Sequence, residues 1–184
     1  MTSESLTKAS HVVFIFTCLA LVSLAGVRVW TEWSASFAAT PAGAGPIAQE
    51  KPLAPGAKVS ALDGISYDKS PLTVAVVVQS HCPYCAASIP FYQKLSKMRG
   101  SSGFQFVAAS FEPLDTTRGY LKEHGVDVDA IAALKGPEIP TTGTPTLVLI
   151  GKGGIVLDSW LGQLSASQEA DVTARIAAAI KKAA

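Results

Sequence analysis

The sequence predicts an α/β fold: a central mixed β-sheet with helices on both faces, preceded by one transmembrane helix. Three observations predict it. Strand-like and helix-like patterns alternate from about residue 58 to the end of the 184-residue chain. Much of the apolar excess lies in the first 30 residues. A stretch rich in Pro, Gly and Ala separates the two regions. Hydrophobic residues make up 48% and charged residues 16%, which excludes a disordered polyelectrolyte. The mean hydropathy of +0.32 is high for a soluble domain, and the first segment accounts for much of it. Net charge is +1, from 15 Lys+Arg against 14 Asp+Glu. No basic excess or stripe is present, so nucleic acid is not an expected partner. Three cysteines are too few for a disulfide-rich scaffold.

The first element is the span. Residues 12–27 (VVFIFTCLALVSLAGV) carry no charge, with His11 before them and Arg28 after. Trp30 and Trp33 follow, where aromatic rings favour the membrane interface. Arg28 can snorkel, so the span extends to Trp30 and reaches roughly 24–28 Å, enough to cross a bilayer core. A cleaved signal is the alternative. Its apolar core is usually about 7–15 residues, shorter than this run. Cys18 sits mid-span as a small apolar residue. The expected organisation is a short cytoplasmic tail (1–10), a transmembrane anchor or signal-anchor (11–30), a linker (31–57) and a domain (58–184). Lys8 and Arg28 flank the span almost evenly, so the positive-inside rule barely orients it. Cysteine chemistry favours a domain facing the periplasm or cell exterior, held on the inner (cytoplasmic) membrane in a single pass.

The domain's elements follow in order. Residues 58–62 and 65–67 flank Asp63-Gly64, a hairpin signal. Residues 72–78 (LTVAVVV) are continuously apolar and β-branched, as a strand covered on both faces should be. Residues 83–98 read as one helix, with Ile89, Tyr92, Leu95 and Met98 at helical spacing. Residues 104–109 form a strand. Residues 114–124 form a helix ended by Gly125. Residues 146–150 and 155–160 are strands around a Gly-rich turn. Ser167 caps a final Ala-rich helix that buries Ile176 and Ile180. The charges of Glu112, Asp115 and Arg118 read as solvated helix-start and surface charges.

The chemistry concentrates in Ser80-His81-Cys82-Pro83-Tyr84-Cys85, where an apolar strand becomes a helix. A cysteine at a helix amino terminus meets the positive end of the dipole and unpaired N–H groups, which stabilise its thiolate. Two intervening residues let both sulfurs meet within one turn. Pro83 suits the first turn, where its missing N–H is not needed. Cys82 is therefore the expected exposed nucleophile and Cys85 the more buried resolving thiol. A structural zinc site would need four ligands, and beyond this pair the domain offers only His81 and His124. An inert structural disulfide would constrain the unfolded chain little through so short a loop.

With these residues in view, the chain resembles the thioredoxin superfamily. It is most similar to the membrane-anchored TlpA/ResA-like thiol–disulfide oxidoreductases, over roughly residues 53–182. Cys82-Pro83-Tyr84-Cys85 matches the redox motif. Pro90 matches the proline that kinks the active-site helix. Gly143-Thr144-Pro145-Thr146 matches the cis-proline loop, and residues 150–156 match the hairpin after it. The segment between Phe104 and Thr142 fits this branch better than a minimal thioredoxin. The resemblance implies that Pro145 lies against the cysteines with a cis bond. It also implies that Thr144 offers backbone hydrogen bonds to an extended substrate segment.

The departures are informative. Val76 stands where cytoplasmic thioredoxins carry a buried aspartate, and Ser88 where the ResA-like pattern carries glutamate. No acid is thereby placed to take the Cys85 proton. His81 replaces the usual aromatic residue before the first cysteine, and when protonated it would lower the Cys82 pKa. Its bland alternative is an exposed loop histidine. Pro83-Tyr84 is also the glutaredoxin dipeptide, but the Gly-Gly-x-Asp glutathione signature is not matched. Gln79 replaces the Thr that a peroxiredoxin would carry three residues before its reactive cysteine.

The resemblance implies an extracytoplasmic thiol–disulfide oxidoreductase with no cofactor beyond a redox-active Cys82–Cys85 disulfide. Its partners would be protein thiol or disulfide substrates and a transmembrane electron donor or acceptor, with the membrane engaged through residues 11–30. A Cu(I) module on the same cysteines is an alternative, since thiolates select soft metals. Direction is a separate question. A low-pKa Cys82 pushes toward an oxidant. Family resemblance favours a reductant, and the 104–142 segment is too short and polar for an oxidant's inserted client-binding domain.

Overall fold

A computed structural model describes residues 53–183. The expected span and most of the linker lie outside these residues. Among the described residues no helix is long and apolar enough to cross a membrane.

The chain forms β1 (Thr73–Val77), α1 (Pro83–Ala87), α2 (Ile89–Ser102), β2 (Gln105–Ser110), α3 (Leu114–Glu123) and β3 (Ala130–Ala133). It continues with β4 (Thr146–Ile150), a 3₁₀ turn (Lys152–Gly154), β5 (Val156–Leu161) and α4 (Ala166–Ala183). The five strands are ordered β3-β2-β1-β4-β5. β1, β2 and β3 run parallel, and β4 and β5 are antiparallel to their neighbours. β1 is central and buried along its whole length, as its unbroken apolar run requires.

The sheet is mixed, as expected, but the helices do not flank it on both sides. One core cluster holds Val74, Val76, Val78 and Phe106 of the sheet side with Cys85, Leu95, Leu121 and Ile176 from the four helices. The opposite cluster holds Ala75, Val77, Val107 and Val148 with residues from 53–67 and 134–139, none of them helical. The cause is topological. β1, β2 and β3 advance in one direction across the sheet, and right-handed crossovers then place both connecting helices on the same face. Irregular chain covers the other face.

That cover explains two further differences. Residues 58–67 form no hairpin; only an isolated bridge from Lys58 to Ile155 is present. Leu62, Ile65 and Tyr67 point into the core from turns instead. Residues 53–57, assigned to the linker by composition, pack on β5. The Leu53 N–H donates to Ser159 Oγ at 3.0 Å, and that hydroxyl donates back to the Leu53 carbonyl at 2.7 Å. Gly56 N–H donates to the Val156 carbonyl, and Val156 N–H to the Ala57 carbonyl. The segment caps an edge strand that would otherwise expose its backbone groups. Gly154 permits this closure. Its φ is +80°, and a Cβ there would lie 2.8 Å from the Val59 carbonyl.

The expected single helix over 83–98 divides at Ser88 and ends at Ser102. Pro90 cannot donate to the carbonyl four residues back, so the helix bends there. The final helix begins one residue before Ser167, and Ser165 is its cap. Ser165 Oγ accepts from the Gln168 N–H, and Gln168 Oε1 accepts from the Ser165 N–H. This reciprocal pair is a capping box.

Candidate active site

β1 delivers the site. It runs into Gln79 and Ser80, and the chain then turns into α1 with Cys82 as its amino-terminal cap. Cys82 has extended backbone angles (φ −83°, ψ 115°), and its sulfur accepts from the Cys85 N–H at 3.3 Å. The sulfur thus takes the place that a Ser or Asp oxygen fills in other caps. Cys82 is partly exposed; Cys85 is fully buried, and the two sulfurs are unbridged.

The Thr144–Pro145 peptide is cis. Cys82 Sγ donates to the Thr144 carbonyl at 3.2 Å, so the structure brings the two motifs together across 62 residues. Thr144 Oγ1 donates to Gln79 Oε1 at 3.3 Å. The loop is pinned from behind by Thr141 and Thr146. Each hydroxyl lies 2.7 Å from the Gly143 carbonyl, and the two lie 2.5 Å apart. Pro145 is buried, whereas His81, Pro83 and Tyr84 are exposed, Tyr84 at 60%. His81 therefore lies in solvent beside the pair.

The two thiols are driven apart. Burial alone would raise the Cys82 pKa, but hydrogen bonds to the thiolate outweigh it. They come from the Thr144 side chain, the Cys85 thiol and the Cys85 and Tyr84 N–H groups, and Cys82 falls below its ordinary value. As a thiol it donates to the Thr144 carbonyl; as a thiolate it has no proton to give and only accepts. Burial pushes Cys85 up to about 12; the Gln79 backbone N–H opposes this, and the neighbouring Cys82 adds to it.

Sequence reasoning missed Glu112. It is no solvated helix charge: its carboxylate accepts from the Ser80 N–H at 2.9 Å and from Ser80 Oγ at 2.8 Å. The parallel register explains the placement. Val77 pairs with Ala109, so three residues further along, Ser80 faces Glu112. Thr144 faces Gln79 by the same logic, since Val77 pairs with Thr146 across the antiparallel pair. Tyr92 and Tyr120 were also missed as neighbours of the site, because helical spacing marked Tyr92 only as core. Val76 and Ser88, the positions without an acid, are both buried beside Cys85 or on its helix. Ser88 Oγ donates to the Tyr84 carbonyl at 2.8 Å. Among the described residues no three His, Cys, Asp or Glu side chains group to hold a metal ion.

No family model matches the chain, and no curated protein does. Solved structures do. A thiol:disulfide interchange protein DsbE from Chlorobium tepidum has a TM-score of 0.53 at 23% identity, covering 70% of this chain and 99% of that one. A thioredoxin-family thiol:disulfide interchange protein from Chlorobium tepidum TLS gives 0.51 at 25% identity, covering 70% and 98%. A thiol:disulfide interchange protein from Bacteroides sp. gives 0.54 at 16% identity, covering 68% and 91%. The domain shares the fold of these proteins.

Proposed function

We propose that this chain, a thioredoxin-superfamily protein by fold and redox motif, is an extracytoplasmic thiol–disulfide oxidoreductase that reduces protein disulfides. One observation carries the reading. An accessible thiol with a lowered pKa stands three residues from a buried thiol with a raised one, against a cis-proline loop.

The chemistry follows from that asymmetry. Cys82 thiolate attacks a substrate disulfide, one sulfur leaves as thiolate, and a mixed disulfide forms. Cys85 loses its proton to water and attacks Cys82 Sγ. The Cys82–substrate bond breaks, its electron pair leaves on the second substrate sulfur, and the enzyme closes its own disulfide. Two electrons pass from enzyme to substrate with no further cofactor. Once Cys82 has ionised it no longer donates to the Thr144 carbonyl. That carbonyl is then released to accept from an extended substrate backbone. A Cys85→Ala variant should accumulate the mixed disulfide with its substrate. Recovery of no covalent adduct, alongside stoichiometric copper on the purified protein, would favour the Cu(I) reading.

The reductant direction is supported by the segment 104–142, which builds β2, α3, β3 and a loop rather than an inserted helical domain. The expected potential lies nearer the thioredoxin value of about −270 mV than the oxidant value of about −120 mV. Equilibration against glutathione buffers measures it, and a value above roughly −160 mV on that scale reverses the direction. Anchoring by residues 11–30, with the domain outside the cytoplasm, rests on the sequence. A reporter that needs export, fused after Ala184, should be active, and cytoplasmic reporter activity would overturn that topology.

A further inference from the structure

A ring of hydrogen bonds joins Cys82, Thr144 and Gln79. Cys82 Sγ donates to the Thr144 carbonyl at 3.2 Å. Thr144 Oγ1 donates to Gln79 Oε1 at 3.3 Å. The Gln79 carbonyl accepts from the Cys82 N–H at 3.2 Å, which closes the ring. The cysteine loop is thus fastened to the cis-proline loop at two points, the sulfur and the Gln79 amide. Gln79 is half-buried and follows directly on the apolar run of residues 72–78. Its two methylene groups carry the amide across to a residue 65 positions away in sequence. Ser80, the next residue, is tied the other way, to Glu112 after β2. Beyond the end of β1 the chain is therefore held from the β4 side by one residue and from the β2 side by the next. Thr141 and Thr146 fix the Gly143 carbonyl at the back of the cis-proline loop, and Gln79 fixes the front.

The two fastenings differ in what they depend on. The Cys82–Thr144 bond needs the thiol proton. It is lost when Cys82 ionises, and it stays lost while the sulfur is joined to a substrate or to Cys85. A thiolate and a carbonyl oxygen, both electron-rich, then face each other and repel. The Thr144–Gln79 bond involves no atom of the sulfur and does not depend on its state. We propose that Gln79 is a positioning residue, whose side-chain amide holds Thr144 beside Cys82 while the sulfur has no proton, so that an extended substrate backbone docked on Thr144 is presented to the attacking sulfur. That interval is when the Thr144 carbonyl is free to accept from substrate. A loop already held in place needs less ordering when the backbone docks, and the substrate sulfur arrives better aligned. Gln79 neither takes nor gives a proton, and the electrons move as described for the exchange itself. At 3.3 Å the bond is long for a hydroxyl donor, so its effect is modest and specific to substrates that have a main chain.

This inference rests on the thiol–disulfide reading, and the test separates the two. Reduced protein is mixed with one of two disulfides. Dithionitrobenzoate has no main chain to lay on Thr144. A short unstructured peptide whose central cysteine carries thionitrobenzoate as a mixed disulfide has main chain on both sides. Attack of Cys82 on the peptide sulfur frees coloured thionitrobenzoate, the better leaving group, and Cys85 then frees the peptide thiol. Failure of the wild type to release colour from either disulfide would sink the oxidoreductase reading itself. The readout is the ratio of the peptide rate to the dithionitrobenzoate rate, in which any change in the Cys82 thiolate cancels. In Gln79→Ala this ratio should fall about two- to tenfold, the range that one hydrogen bond covers. Gln79→Met keeps the length of the side chain without the acceptor and should lower the ratio equally. A residue that only supports the fold would leave the ratio at its wild-type value. Thr144→Val removes the other end of the bond and keeps the carbonyl. It should lower the ratio too, and combining it with Gln79→Ala should lower it no further. A wild-type ratio in Gln79→Ala or Gln79→Met, or losses that multiply in the double variant, would overturn the proposal.

Discussion

Cys82 and Cys85 differ in what surrounds each sulfur, and their reactivity should differ accordingly. Cys82 ionises below its ordinary value and Cys85 only near 12. The thiolate is the reactive form, so alkylation at neutral or mildly acidic pH should modify Cys82 and spare Cys85. Peptide mapping after brief iodoacetamide treatment checks this, and equal labelling would reverse the assignment. Glu112 is the residue-scale counterpart on the protein side of the site. Its carboxylate holds both the N–H and the hydroxyl of Ser80. Both residues are partly buried, so water makes up some of a loss. Glu112→Ala should therefore destabilise by about 1–2 kcal/mol, less than a fully buried charged bond would give. Urea unfolding reads it directly, and an unshifted midpoint would mean that the brace contributes nothing.

At the scale of elements, the edge of the sheet is the most exposed to test. Ser159 is fully buried on β5 and bonds both backbone groups of Leu53. Ser159→Ala leaves those groups without that partner and should cost about 1–3 kcal/mol. Limited proteolysis should then cut within residues 53–57 sooner than in the wild type; an equal rate would show that the segment is held by other contacts. The same segment shows where sequence reading works and where it stops. Strands with continuous apolar runs were legible, because burial on both faces demands such runs: β1 and β4 lie within a residue of their expected bounds. β3 was not. Its four residues, AIAA, carry too little β-branching and follow charged positions, and only pairing with β2 makes them a strand. Residues 53–57 read as linker because Pro and Gly hide their role: they cap β5 through backbone bonds that leave no hydrophobic period. The placement of Cys82 at a helix start, with Cys85 one turn on, was legible for the opposite reason, since residue type and close spacing alone mark it. Glu112, thirty positions downstream of Cys82, became visible only through the β1–β2 register.

For the whole molecule, four thiol and phenol groups among the described residues keep their protons in the fold longer than in the unfolded chain. Burial raises Cys85, Tyr67 and Tyr120 each to about 12, and raises Tyr92 as well. The sign follows from linkage. A group whose folded pKa is raised contributes fully below its unfolded value, about 9 for the thiol and about 10 for the phenols. Above that, the unfolded state binds fewer protons than the native state, and stability falls as pH rises toward about 12. The lowered Cys82 acts the other way, while the raised Lys135 acts with these four. The reduced protein should therefore lose stability steeply in alkali, and the oxidised protein less steeply, because its Cys85 no longer titrates. Urea midpoints of both forms across that range test this; parallel curves would show that Cys85 contributes nothing to the slope.

The cover on β5 also bears on mechanics. Residues 53–59 meet the edge of the sheet through separate backbone contacts, from Leu53 at Ser159 through Gly56 and Ala57 at Val156 to Val59 at Gly154. A pull applied at Leu53 loads these contacts in succession, as in a zipper, rather than shearing them all at once. The first yield under tension should be small in force and local in extent. β1, which carries the cysteine loop, is separated from that edge by β4. A domain tugged from its amino-terminal side could pay out several residues of slack while the β1 end that holds its sulfurs stays unstretched.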